Sequence, residues 1–200
     1  RVLFRSDYMS ADDAVAPRLL DATATEYRGN AKTNEEARFN YLFLPGGSAS
    51  DASVYDLNVQ CLEDGWVASA DENGFFGCST SFPLVTYEEN ILTLAEAYIR
   101  KNDFSNSLQA LNSYRSFLNG GGYFGASYSA NYAHSYDSYV SADFEAGGME
   151  NSGGTREEEL LNEIIEERYV TFIGQLEQFN DLRRNFFVFL LIMFDYSYIK

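Results

Sequence analysis

The segment 155–184 constrains the fold most, because its apolar residues recur at steps of four and three. This spacing places them on one face of an α-helix. The predicted apolar stripe consists of Leu161, Ile165, Tyr169, Phe172, Leu176 and Phe179. We therefore predict one long amphipathic helix, with a soft point at Gly174 because glycine costs about 1 kcal/mol relative to alanine inside a helix.

Both ends of this segment carry residues that helix termini favour. Thr155 and Glu158 have the spacing of a capping box, in which each side chain bonds the backbone N–H of the other residue. Acidic residues continue through the first turn, where they suit the positive end of the helix dipole. Arg183 and Arg184 lie at the opposite end. We assign this double arginine to structure, where it satisfies carbonyl groups and acidic neighbours.

Two shorter helices are predicted earlier in the chain, over residues 86–101 and 105–118. Thr86 and Glu89 repeat the capping-box spacing, and three glycines at 120–122 end the second helix. A short turn between two amphipathic helices favours an antiparallel hairpin, which we predict over 83–118. The predicted inward residues are Ile91, Leu94, Ala95, Tyr98 and Ile99, then Leu108, Leu111, Tyr114 and Phe117 or Leu118.

The other segments predict short strands and long loops. Residues 40–44 form a β-type run that ends at Pro45, and residues 54–59 alternate partly, as a second short strand would. A helical stretch is predicted near 19–27. Residues 120–154 are rich in Gly, Ser, Tyr and Ala without an apolar face, so we predict one long loop there.

Aromatic residues of the predicted loops are the candidate ligand contacts. Trp66 lies in a region rich in Gly and acidic residues, and Tyr123, Tyr128 and Tyr132 are spread along the 120–154 loop. Aromatic rings offer flat apolar area, and tyrosine adds a polar tip, which suits stacking on sugar rings. The alternatives are that Trp66 pins its loop to the core and that 120–154 is a mobile insertion.

Composition narrows the classes of partner. The chain has 200 residues, of which 46% are hydrophobic, and this predicts one domain with a sizeable core. Its net charge of −16 repels nucleic acids and anionic lipid headgroups. The longest apolar run, 186–194, is shorter than the roughly 18 residues that a membrane-spanning helix needs.

The sequence shows no catalytic, phosphate-binding or metal-binding motif. His134 is the single histidine, and Cys61 and Cys78 lack zinc spacing. The cysteines form either a disulfide, if the protein lies outside the cytoplasm, or two buried thiols. Carboxylates are plentiful, but none has a context typical of a glycosidase, and Glu96 and Glu167 are predicted to pair with arginines. We expect a non-enzymatic protein without a cofactor or metal.

Two stretches of the chain resemble the SusD/RagB family of outer-membrane nutrient-binding lipoproteins from gut-type bacteria. The family's C-terminal signature helix is similar to Glu167-Arg168-Tyr169, Phe172-Ile173-Gly174-Gln175, Glu177 and Phe179-Asn180-Asp181-Leu182-Arg183-Arg184. Its tetratricopeptide-like helix pair is similar to Pro83-Leu84-Val85-Thr86-Tyr87-Glu88-Glu89, Ala95-Glu96-Ala97-Tyr98-Ile99-Arg100 and Leu111-Asn112-Ser113-Tyr114-Arg115. The apolar tail at 186–200 departs from the polar turn that follows the double arginine in the family.

The resemblance implies a mainly α fold of tetratricopeptide-like helical hairpins, long irregular loops and a few short strands. It implies non-catalytic capture of oligosaccharides, or of peptides in some members, at the cell surface and delivery to a SusC-like TonB-dependent transporter. It also implies an outer-membrane anchor on a lipidated N-terminal cysteine. Neither Cys61 nor Cys78 fits that position, so we expect this chain to be the C-terminal portion of such a protein. The alternative class is a tetratricopeptide-type module that binds a protein segment.

Overall fold

The computed structural model describes residues 10–12, 14–45, 55–58, 74–77, 80 and 83–184. These residues are mainly helical with a few short strands, which confirms the coarse fold class. In chain order the elements are β1 (Ser10–Asp12), α1 (Val15–Leu20), β2 (Thr33–Asn34), α2 (Glu36–Leu42), β3 (Phe43–Pro45), β4 (Tyr55–Leu57), α3 (Tyr87–Arg100), α4 (Phe104–Asn119), α5 (Gly125–Asn131), β5 (Ser135–Tyr136), α6 (Ser141–Phe144), α7 (Arg156–Thr171) and α8 (Leu176–Arg184).

The described residues divide into two compact units. Unit 1 contains those of Arg1–Phe82 together with Leu118–Tyr136, and unit 2 contains Pro83–Phe117 together with those of Asp137–Lys200. The predictions for Cys61, Cys78 and the 186–200 tail lie outside the described residues. The fold is therefore presented unit by unit.

Unit 1 contains a small antiparallel sheet in the order β1-β4-β3. β3 and β4 pair with Phe43 opposite Leu57 and Pro45 opposite Tyr55. This confirms two short strands near the predicted ones, but the strand predicted at 40–44 begins too early. Residues up to Leu42 belong to α2 instead, which buries Ala37 and Leu42 fully.

The helix predicted near 19–27 is also misplaced, because α1 ends at Leu20. Asp21 follows this helix, and its carboxylate accepts hydrogen bonds from the backbone N–H and the hydroxyl of Thr23, both at 2.8 Å. Local bonds of this kind compete with helix formation. The residues after Leu20 therefore form turns.

The prediction of one long loop over 120–154 is wrong, since α5, β5 and α6 lie within it. Short elements are held there by buried aromatic side chains such as Phe124 and Phe144, and by polar contacts. In unit 2, Asn112 clamps the backbone of Tyr139, accepting from its N–H at 2.8 Å and donating to its carbonyl at 2.9 Å. In unit 1, β5 pairs with β2, with Tyr136 opposite Thr33. Contacts of this type leave no periodic signal in the sequence.

Unit 2 contains α3 and all of α4 except its last two residues, and both helices lie close to their predicted bounds. The Thr86 hydroxyl accepts from the Glu89 N–H at 3.1 Å, which confirms the cap of α3. On α4, the predicted inward residues Leu108, Leu111, Tyr114 and Leu118 are buried. On α3 the buried set is Leu92, Ala95, Glu96 and Ile99, whereas the predicted inward Leu94 is 43% exposed.

The segment 155–184 is two helices, so the prediction of one long helix is wrong. The capping box is confirmed: the Glu158 carboxylate accepts from the Thr155 N–H at 2.9 Å, and the Thr155 hydroxyl accepts from the Glu158 N–H at 3.3 Å. The backbone bond from Thr155 lowers the pKa of Glu158. The soft point is also confirmed, because the chain turns between α7 and α8 at Gly174, where φ is +75°.

The apolar stripe predicted on this segment is confirmed in part. Ile165 and Phe172 are buried, whereas the predicted member Leu176 is 65% exposed, and the side chain of Phe179 lies outside the described residues. α7 also buries Leu160 and Ile164 together with several charged residues, which the stripe did not include. Charge is tolerated inside because it is paired. The Glu159 carboxylate, for example, accepts from the backbone N–H of Gly154 at 2.7 Å and of Ser152 at 3.1 Å.

Gly174→Ala is expected to lower the free energy of unfolding by about 1–2 kcal/mol. The positive φ favours glycine, and a β-carbon in this conformation clashes with the backbone. Urea denaturation followed by circular dichroism measures the change. Gly174→Asn serves as the control, since asparagine tolerates this region better. An alanine variant as stable as the parent protein would contradict the assigned strain.

Candidate functional site

Unit 1 collects the predicted tyrosines around one ring, that of Tyr41. The centroid of Tyr41 lies 5.2 Å from Tyr128, 5.7 Å from Tyr123 and 5.8 Å from Phe75, each in an edge-to-face arrangement. Aromatic pairs at these separations stabilise one another beyond simple burial. We call this group the aromatic cluster; its members are Tyr41, Phe75, Phe76, Tyr123, Tyr128 and Tyr132.

The cluster has a buried layer and a layer that reaches solvent. Tyr123 and Tyr128 are only 9% and 5% exposed, so they support the surface from below rather than forming it. Tyr132 stacks on Tyr128 with centroids 5.8 Å apart and is half-buried. Tyr41, Phe75 and Phe76 are also half-buried. Trp66, the fourth predicted contact, lies outside the described residues.

Hydrogen bonds fix the cluster to α2. Asn58 donates its amide to the Tyr128 hydroxyl at 2.9 Å and to the Asn40 carbonyl at 2.7 Å. The Phe75 N–H donates to the Tyr41 carbonyl at 3.0 Å. Gly74 passes close to Asn58, where an added β-carbon would lie 2.2 Å from the side chain. The rings are therefore held in place before any ligand arrives.

A buried charged group, the Glu35 network, lies beneath the same cluster. The Glu35 carboxylate pairs with Arg28 at 2.5 Å and with Arg38 at 2.9 Å, and it accepts a hydrogen bond from the Tyr136 hydroxyl at 2.7 Å. Burial raises the pKa of Tyr136 well above its ordinary value, so this phenol stays a neutral donor. The Arg38 guanidinium lies 5.8 Å from the ring centroid of Tyr123 and so links the network to the cluster.

Unit 2 contains a second buried charged group, the Arg168 network. Arg168 donates two hydrogen bonds to the Asp181 carboxylate, at 2.8 and 2.9 Å, and a third to the Thr93 hydroxyl at 3.0 Å. Its Nε also lies 3.5 Å from Oε2 of Glu96. Arg184 bonds Asp181 as well, which raises the pKa of Arg184 and agrees with the structural role predicted for this one of the two arginines.

The carboxylates named from sequence are structural partners. Glu96 accepts from Arg100 at 2.8 Å, as predicted, and Glu167 accepts from the Thr171 hydroxyl at 3.2 Å. Arg115 donates to the Asp137 carbonyl at 2.8 Å and lies 3.8 Å from the ring centroid of Tyr139. Within the described part of the chain, no three His, Cys, Asp or Glu residues lie close enough to hold a metal ion.

The described helices include none long and apolar enough to cross a membrane.

Sequence reasoning missed Tyr41, which it assigned to a strand, although this ring is the centre of the cluster. It also did not select Phe75 or Phe76 as contacts. The sequence gives no local signal for this cluster, because three separate segments of the chain supply its rings.

Comparison with models of known protein families, with curated proteins and with solved structures finds no match to this chain. The likeness to SusD/RagB proteins thus depends on the quoted sequence motifs alone.

Proposed function

We propose that this protein binds oligosaccharide nutrients at the cell surface without catalysis. The observation that carries the proposal is the half-buried ring of Tyr132, stacked on Tyr128 in a cluster in which Tyr41, Phe75 and Phe76 are half-buried as well. Rigid aromatic faces suit sugar rings, because they offer apolar contact with little loss of conformational freedom on binding.

We also propose that bound glycan passes to a SusC-like TonB-dependent transporter and that the full-length protein is lipid-anchored in the outer membrane. The sequence motifs of 83–118 and 155–184 support this part. The two consecutive helices α3 and α4 also support it, and Ser107 links them by donating to the Ala95 carbonyl at 2.8 Å.

Tyr132→Ala is expected to weaken glycan binding about fivefold to tenfold, since an aromatic contact contributes about 1 kcal/mol beyond its burial. Affinity electrophoresis across a panel of soluble polysaccharides identifies the ligand, and the same gels then compare the variants. Tyr98→Ala is the matched control, because Tyr98 is a half-buried tyrosine of α3 in unit 2.

Two results would contradict the proposal. One is a folded parent protein that no polysaccharide retards. The other is retardation that Tyr132→Ala and Tyr98→Ala reduce equally, since this would separate binding from the aromatic cluster. Circular dichroism of each variant confirms that it is folded.

The alternative function is recognition of a protein segment by the helical hairpin. One observation favours it: large apolar side chains are exposed at the start of α3, with Leu84 at 75% and Val85 at 86%. Exposed apolar groups of this kind mark protein-binding surfaces when they are contiguous. Retention on immobilised peptides, abolished by a Val85→Ser change and unaffected by Tyr132→Ala, would favour this function over glycan binding.

A further inference from the structure

Unit 2 contains a polar cavity of about 530 Å³. This volume is within the usual range for small-molecule sites. Its lining is almost entirely charged or amide-bearing and includes no aromatic ring among the described residues. The lining residues are Glu89, Thr93, Arg168, Glu177, Asn180, Asp181, Arg183 and Arg184.

Helical spacing explains why these side chains meet. Glu177, Asp181 and Arg184 follow one another at steps of four and three along α8, so they share a face. Glu89 and Thr93 are four residues apart on α3 and share a face in the same way. The cavity is thus bordered by one face of each helix, with Arg168 of α7 in its wall.

Arg168 and Asp181 in the inner wall are already paired. Arg168 uses its donors on Asp181 and Thr93, and Asp181 accepts from both Arg168 and Arg184. Glu96 lies behind these groups with 5% exposure, and its Oε2 accepts no hydrogen bond, although Arg168 and Arg184 stand at 3.5 and 3.8 Å. The wall therefore holds its shape without a ligand.

The outer lining carries both signs of charge at separate places. Among the described residues, no cationic side chain pairs with the carboxylate of Glu89 or of Glu177. Arg183 and Arg184 are exposed at the other end of α8. A helix rises 1.5 Å per residue, so the backbone of Glu177 lies about 10 Å from that of Arg184.

We propose that this cavity binds a small zwitterion with an ammonium group at one end and a carboxylate at the other. The ammonium lies at Glu89 and Glu177, and the carboxylate receives hydrogen bonds from Arg183 and Arg184, since guanidinium groups bind carboxylates in a fork. Asn180 also lines the cavity, and its side-chain amide can both donate and accept hydrogen bonds. A chain of −16 net charge disfavours a purely anionic ligand, which argues for the paired charge. This site is independent of the proposed glycan surface.

Isothermal titration of the folded protein with 6-aminohexanoate tests the proposal, with hexanoate and hexylamine as probes that carry only one of the charges. The zwitterion is expected to bind at least tenfold more tightly than either, because each charge-assisted bond is lost in one of them. Glu89→Gln and Arg183→Gln are each expected to weaken its binding about tenfold.

Two matched controls separate the site from general electrostatics. Glu88→Gln changes the neighbouring, half-buried carboxylate of α3, and Arg156→Gln changes an exposed arginine at the start of α7. Both are expected to bind 6-aminohexanoate as the parent protein does. Equal binding of hexanoate would overturn the proposal in favour of a simple anion site. No heat change up to about 10 mM probe would overturn it altogether.

Discussion

Arg168→Met is expected to lower the free energy of unfolding by about 3–5 kcal/mol, the usual cost of removing one partner from a buried ion pair. The change leaves Asp181, which is 2% exposed, with Arg184 as its remaining cation among the described contacts. It also removes a cation 3.5 Å from the buried Oε2 of Glu96. Methionine fills a volume similar to that of arginine, so the loss of stability comes from the missing charge rather than from a cavity. Urea denaturation followed by circular dichroism measures it.

The control for this prediction is Arg100→Met on α3. Arg100 also pairs with Glu96, at 2.8 Å, but its side chain is 47% exposed. Exposed pairs contribute about 0–1 kcal/mol, so the expected loss is correspondingly small. A double variant, Arg168→Met with Asp181→Asn, is expected to lose less than the sum of its single changes, because the two groups interact directly. Equal effects of Arg168→Met and Arg100→Met would contradict the assigned burial.

Glu35→Gln is expected to destabilise the protein by about 3 kcal/mol or more, since it leaves two arginines in the interior of unit 1 without their carboxylate. The side chains of Arg28 and Arg38 are 2% and 0% exposed, and Glu35 itself is fully buried. Glutamine keeps the size and one acceptor oxygen, so the lost charge accounts for the effect. The midpoint of urea unfolding measures this change too.

Glu36→Gln is the matched control, because this neighbouring carboxylate lies exposed in the first turn of α2. Its loss is expected to cost no more than about 1 kcal/mol through the helix dipole. If Glu35→Gln unfolds at the same urea concentration as Glu36→Gln, the Glu35 network does not stabilise the fold in the way we describe.

Local features of the fold could be predicted from the sequence. The caps at Thr86 and Thr155 and the turn at Gly174 each depend on residues within a few positions of one another. Such signals are complete in a short window of sequence, because the interacting groups are fixed by the helix itself. The inward face of α4 followed the same rule.

The buried face of α7 could not be predicted, because its charged members depend on distant partners. Arg168 is inside since it bonds Asp181 on the next helix and Thr93, which is 75 positions away. A pattern rule assigns an arginine to solvent, as charge is costly to bury unless it is paired. The pattern therefore identified Ile165 as buried but assigned Glu167 and Arg168, which are also buried, to the surface.

Part of the candidate site could also be predicted from the sequence. Aromatic composition led to Tyr123, Tyr128 and Tyr132, and the structure places all three in one cluster. Composition could not indicate which of the three tyrosines is buried, because the rings of Tyr41 and Phe75 that cover them come from remote segments. Burial in a loop-rich region depends on the tertiary partner rather than on the loop's own sequence.

The turn at Gly174 has a consequence for the end of the described chain. It separates α8, a helix of nine residues, from the longer helix before it. A helix of this length is marginally stable on its own in water, because too few backbone hydrogen bonds offset the free energy needed to form its first turn. The buried ion pair between Arg168 and Asp181 connects α8 to α7. One buried arginine of α7 thus contributes to holding the last described helix in place.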